Sequence, residues 1–182
     1  MSDGKQGQPQ DNSEKFEMMK AALTKEIKKI DVDGVPTSIT QLDLESTHWR
    51  QFAVTVLKEE DEEGYAEYRR RKYGEGDDAV EKPDLKQRKL AYLYAVTRFL
   101  DLSYTATTPE SPTKLQVAGE MWRQRAVTFL RVLDPEAYAT YRERKYGTGD
   151  DKIDNPDFAQ RKKAYRFAMR RFLQKSYRHA GF

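Results

Sequence analysis

From Ser13 onward apolar residues recur at three- and four-residue spacing: Phe16, Met19, Leu23, Ile27 and Ile30, with lysines and glutamates between them. That spacing predicts an amphipathic helix of about four turns, ended by the turn residues DVDGVP at 31–36. A second apolar stripe follows in Leu42, Trp49, Ala53, Val56 and Leu57. Thr40 and Asp43 stand at its start as a capping pair, a hydroxyl accepting from the backbone N–H three residues on while the polar partner reaches back. The same signal returns in Thr113 and Gln116, ahead of Leu115, Trp122, Ala126, Phe129 and Leu130.

A shorter helix is predicted after Asp134, with Pro135 at the first helical position and Glu136 favoured by the helix dipole. It ends at Gly147, as its counterpart ends at Gly74, after basic residues in the last turn. Pro83 and Pro156 are expected to open a third helix in each half, reaching about Tyr104 and Tyr177. No stretch sustains a two-residue alternation of β-branched residues, so the reading is all-α without a sheet.

These duplicated signals belong to a longer match. Residues 49–104 pair with 122–177 at a constant offset of 73 without a gap, and 33 of the 56 pairs are identical. Two tandem three-helix units are therefore expected, since the period exceeds that of helix-pair repeats. The division is a disordered tail over 1–13, an N-terminal helix and turn over 14–37, repeat 1 over 38–104, a linker over 105–110 and repeat 2 over 111–182.

The third helices of the two repeats disagree on one face. Leu90, Leu93 and Thr97 in the first are replaced by Lys163, Arg166 and Arg170 in the second. An apolar face in one copy only implies a cover for that copy, and the N-terminal helix is expected to dock on Leu90 and Leu93. The tryptophans and ten of the eleven tyrosines also fall in equivalent pairs. They read as core, because tyrosine buries its ring while its hydroxyl reaches a polar rim.

Charge changes the picture in the second half. The net charge is only +3, yet residues 122–182 hold fifteen Lys and Arg against seven Asp and Glu, whereas residues 49–104 hold eleven against twelve. No acidic residue follows Asp157. Lys162, Lys163, Arg166, Arg170, Arg171 and Lys175 form the resulting basic face, the expected partner-binding surface.

Other chemistry finds less support. The chain has no cysteine, which excludes disulfides and thiolate catalysis and suits a reducing compartment. The GxGDD stretches cannot cradle phosphate, because their own carboxylates would repel it. Asp77, Asp78 and Glu81, with Asp150, Asp151 and Asp154, are weak candidates for a hard cation, but their spacing matches no EF-hand. They read instead as braces, with Tyr73 and Tyr146 under their own loops and the aspartates paired to backbone N–H groups or arginines. No metal, cofactor or catalytic residue is expected, since there is no cysteine and neither histidine is duplicated: His48 falls opposite Met121 and His179 lies outside the repeat. No run approaches the roughly 20 apolar residues of a membrane span. The expectation is a soluble, intracellular, non-enzymatic adaptor or structural protein whose basic face meets a protein assembly with an acidic surface; the alternative is DNA or RNA bound through its phosphates.

Overall fold

The computed structural model describes residues 12–106 and 110–179. Among them are seven α-helices and one two-stranded sheet: α1 (Asn12–Thr24), β1 (Glu26–Val32), β2 (Val35–Thr40), α2 (Gln41–Glu60), α3 (Glu62–Tyr73), α4 (Leu85–Ser103), α5 (Lys114–Leu133), α6 (Pro135–Tyr146) and α7 (Phe158–Ser176). The tail expected over 1–13 lies outside the described residues except for Asn12 and Ser13, which belong to α1.

The sheet corrects the all-α reading. The N-terminal helix stops at Thr24, and Ile27 and Ile30 sit on β1, paired antiparallel with β2. Asp33 and Gly34 form the turn with φ of 51° and 81°, the two left-handed positions that a two-residue hairpin turn demands. The Gly34 N–H donates to the Asp31 carboxylate at 2.8 Å. Ile39 is fully buried, and Thr40 ends β2 while capping α2, so the hairpin runs directly into that helix.

The predicted caps hold. Thr40 with Asp43 and Thr113 with Gln116 both form capping boxes, and Asp134 accepts from the Ala137 N–H ahead of Pro135. The third helices begin later than expected. Asp84 and Asp157 are N-caps rather than first-turn residues, leaving Pro83 and Pro156 outside the helix. At the other end of α3, Gly74 has φ 83°, and a Cβ there would meet the Asp78 carbonyl at 2.9 Å, so glycine is required on both counts.

The GxGDD stretches form single 3-10 turns, Gly76–Asp78 and Gly149–Asp151, closed by Val80 N–H to the Tyr73 carbonyl at 2.7 Å and Ile153 N–H to the Tyr146 carbonyl at 2.8 Å. Tyr73 and Tyr146 are half-buried beside Arg69 and Lys72, and Arg142 and Lys145. The expected pairing is not found for Asp77, Asp78 or Asp150 among the described residues. Asp77, Asp78 and Asp150 are exposed, their carboxylates make no hydrogen bond or ion pair among the described residues, and the loops are closed by backbone bonds.

The docking of α1 also differs from expectation. It packs on α2 and α5 rather than on Leu90 and Leu93 of α4, burying Leu23 and laying Phe16 4.7 Å from the Arg131 guanidinium. Leu93 is buried without it, and Leu90 stays 54% exposed.

One continuous core joins α2–α4 to α5–α7. At its centre the Trp49 and Trp122 rings stack at 4.3 Å, flanked by Phe172 at 4.6 Å from Trp49 and Phe99 at 4.6 Å from Trp122. Asp61 and Asp134 each reach from a helix start to the third helix, to Arg98 Nε at 2.5 Å and Arg171 Nε at 3.1 Å.

Candidate functional site

The α6–α7 packing leaves a groove of about 630 Å³, lined by Arg144, Lys163, Arg166, Phe167, Arg170, Arg171 and Gln174. Helical periodicity places it there. Residues 163, 166, 167, 170, 171 and 174 form one face of α7, and α6 supplies Arg144 from its last turn. The Arg144 guanidinium lies 4.4 Å from the Phe167 ring centroid, close enough for the ring face to hold the cation in place. Five of the seven lining side chains are cationic and none is a carboxylate.

The six cations expected to act together divide into three sets. Lys162 and Arg166 reach Asp101 on α4, at 3.0 and 3.4 Å. Arg171 and Lys175 reach Asp134, at 3.1 and 3.8 Å. Lys163 and Arg170 are exposed and have no acidic partner among the described residues. Two carboxylates thus bracket the expected partner-binding face, and its unengaged charge is concentrated at the centre.

Asp134 shows why its two cations serve structure. It is buried, and burial by itself raises a carboxyl pKa, but the Ala137 N–H, Arg171 and Lys175 outweigh that and hold it below its ordinary value. Arg171 turns one side of its side chain to this pair while another part lines the groove.

Arg144, Phe167 and Gln174 line the groove but were not among the site residues expected from the sequence. Phe167 and Gln174 follow Lys163 and Arg170 by four residues, so the helical face would have found them. Arg144 is supplied by the neighbouring helix, and no local pattern announces it. The equivalent place on α3 and α4 carries Arg71 4.4 Å from the Tyr94 ring, but with Leu90, Leu93 and Thr97 in place of the cations.

The acidic loops bring no metal-ligating cluster together: among the described residues no group of three His, Asp or Glu side chains is placed to hold a metal ion. None of the described helices is long and apolar enough to cross a membrane. Against protein-family models, curated proteins and solved structures alike, the chain finds no match.

Proposed function

We propose that this is a non-enzymatic docking protein built from a duplicated three-helix unit, and that the α6–α7 groove receives a short acidic segment of a protein partner. The duplication is supported by the ungapped 73-residue offset and by matched helix lengths of 20, 12 and 19 residues in α2–α4 and again in α5–α7. The observation that carries the function is the groove itself, five cations around one aromatic ring with no carboxylate in the lining. Arginine forks pair with carboxylates in two-pronged fashion, and lysine adds a point charge. The lack of cysteine suits a reducing, intracellular setting for such a protein.

The length of the patch favours a peptide over a nucleic acid. Lys163 to Arg170 spans about 10 Å along the helix axis, and the cations on either side are already engaged, Lys162 by Asp101 and Lys175 by Asp134. An acidic helix of two turns fits inside these limits.

The test is fluorescence anisotropy of a labelled Glu-rich helical peptide against the full chain, with duplex DNA and single-stranded RNA run in parallel over a salt series. Reversing Lys163 and Arg170 to glutamate is expected to weaken the peptide by about tenfold or more. The melting temperature should barely move, since neither side chain has an acidic partner among the described residues. Unchanged peptide affinity in the double variant would make the groove a solubilising surface. Tighter nucleic-acid binding that falls steeply with salt would replace the acidic peptide with phosphate as the ligand.

A further inference from the structure

The 73-residue offset pairs Arg50 with Arg123, Arg88 with Arg161, Tyr92 with Tyr165 and Tyr177 with Tyr104. Both inner arginines lie on aromatic faces. Arg50 is 3.7 Å from the Tyr177 centroid and 5.4 Å from that of Tyr92. Arg123 is 4.0 Å from Tyr104 and 5.5 Å from Tyr165. The groups around them then diverge.

Around Arg50 the chain satisfies itself. Nη1 donates to Ser46 Oγ at 2.5 Å and Nη2 to Thr47 Oγ1 at 3.0 Å. Beside it Asp43, 3% exposed, accepts from Arg178 Nη2 at 2.7 Å and Nε at 3.3 Å. The Asp43 carboxylate also acts on Arg50 through its charge. No space for a water molecule remains in the cleft that Asp43, Arg50 and Arg178 line.

Around Arg123 each of those groups has changed. Gly119 stands for Ser46, Glu120 for Thr47, Gln116 for Asp43 and Thr105 for Arg178. With the Ser46 hydroxyl gone, Arg123 Nη1 is buried without a hydrogen-bond partner among the described residues. Ser103 Oγ and Arg161 Nε are buried and unpartnered as well. Ser176, the counterpart of Ser103, shares that condition, so Arg123 Nη1 is the atom that distinguishes the two places. Where the Asp43–Arg178 pair fills its cleft, the cleft over Arg123 is a cavity of about 320 Å³.

We propose that this cavity binds a small carboxylate, which meets the Arg123 and Arg161 guanidinium groups in the lining and supplies beside Arg123 the negative charge that Asp43 supplies beside Arg50. Arg123 and Arg161 supply two positive charges from the lining, through the guanidinium N–H groups other than the buried Arg123 Nη1 and Arg161 Nε. Gln116 Nε2, 3.5 Å from Thr105 Oγ1, stands at the rim with its side-chain oxygen already accepting from the Thr113 N–H at 2.9 Å. Glu120, also in the lining, is exposed and accepts from Gln124 Nε2 at 3.3 Å; it acts on Arg123 through its charge but bonds neither arginine directly. At about 30 Å³ per displaced water, the space admits a molecule of roughly ten non-hydrogen atoms.

The test follows the side-chain Nε–Hε signals of the full chain labelled with ¹⁵N-arginine, titrated with acetate, with phosphate in a parallel series and chloride held constant. Acetate is expected to shift Arg123 and Arg161 along one saturable curve while Arg50 and Arg88 stay still. Gln116→Asp rebuilds the internal carboxylate and can still serve the Thr113 capping box, as Asp43 serves that of Thr40. It should abolish the acetate response and raise the melting temperature. Glu120→Gln should tighten acetate about threefold, the worth of one exposed charge. Absence of a saturable shift in the unmodified chain overturns the proposal, as does an acetate curve unchanged by Gln116→Asp. A response to phosphate stronger than that to acetate overturns the assignment of the ligand as a carboxylate.

Discussion

Truncating Trp122 to alanine is expected to destabilise the whole chain by about 3 to 5 kcal/mol, the range for deleting a large aromatic from a core. The ring stacks on Trp49 at 4.3 Å and touches Phe52 and Phe99, at centroid distances of 5.3 and 4.6 Å. Trp49 in turn meets Phe129 and Phe172. Residues of α2, α4, α5 and α7 thus lose contact together, and the buried cluster offers no plane along which one half could open alone. Urea unfolding followed by circular dichroism and by Trp49 fluorescence should give one coincident transition, shifted as a whole. Two separated transitions would show that each set of three helices holds a core of its own.

The second large effect is expected at Asp43. Replacing it with alanine removes the reciprocal half of the α2 capping box and leaves Arg178 and Arg50 without their carboxylate. Breaking a buried, hydrogen-bonded pair by deleting one partner costs about 3 to 5 kcal/mol, and Arg178 is partly exposed, which places the expected loss near 3 kcal/mol. Asp43→Asn keeps a side-chain acceptor for the Thr40 N–H and should lose less.

The pH dependence has a definite sign. Burial raises the Asp43 pKa, but hydrogen bonds from Arg178 and Thr40 outweigh it, and the net shift is downward from 3.8. A carboxyl whose folded pKa lies below its unfolded one contributes stability above the unfolded value and loses it as pH falls through the folded one. The stability gap between the unmodified chain and Asp43→Asn should therefore be full at pH 6 and close below about pH 4. A gap that is constant from pH 6 to pH 2 would show that the carboxylate charge contributes nothing.

Asp61 and Asp134 also have lowered pKa values, chiefly through Arg98 in the first case and against the opposing effect of burial in the second. Acid loss of stability is thus shared among at least three helix-start carboxylates.

Helix starts were legible because a cap is local. Thr40 with Asp43, Thr113 with Gln116, and Asp134 before Pro135 each declare themselves within four residues, and the structure keeps all three. The hairpin was hidden by an accident of spacing. Ile27 and Ile30 continue the three- and four-residue rhythm of Phe16, Met19 and Leu23, so the helix reading ran past Thr24 into β1. The stronger signal was Asp33–Gly34, flanked by Ile30, Val32, Val35, Thr37 and Ile39, where β-branched side chains and a turn dipeptide agree. Pro83 and Pro156 misled by one residue or two, since the aspartate after each proline accepts from the backbone N–H of Gln87 or Gln160 and so sets the true start.

The basic face was readable in composition and periodicity, but its division was not. Whether a cation is engaged depends on Asp101, 65 residues before Arg166, and on Asp134, 37 residues before Arg171. Contacts at that separation are set by tertiary packing. The same limit explains the misplaced α1. The face of Leu90 and Leu93 called for a cover, yet Leu93 is buried by the helices already present, and the apolar side of α1 finds its place against α2 and α5.

The aromatic covers over the inner arginines are exchanged. Arg50 of α2 lies under Tyr177, which follows α7, and Arg123 of α5 lies under Tyr104, which follows α4. Each set of three helices thus ends by completing its neighbour, as two subunits do when they trade a terminal residue. Here the trade takes place within one polypeptide, so the local concentration of each partner is set by the ten residues between α4 and α5 and not by how much protein a cell makes. Dilution, which dissolves a two-chain assembly of the same design, leaves this one intact.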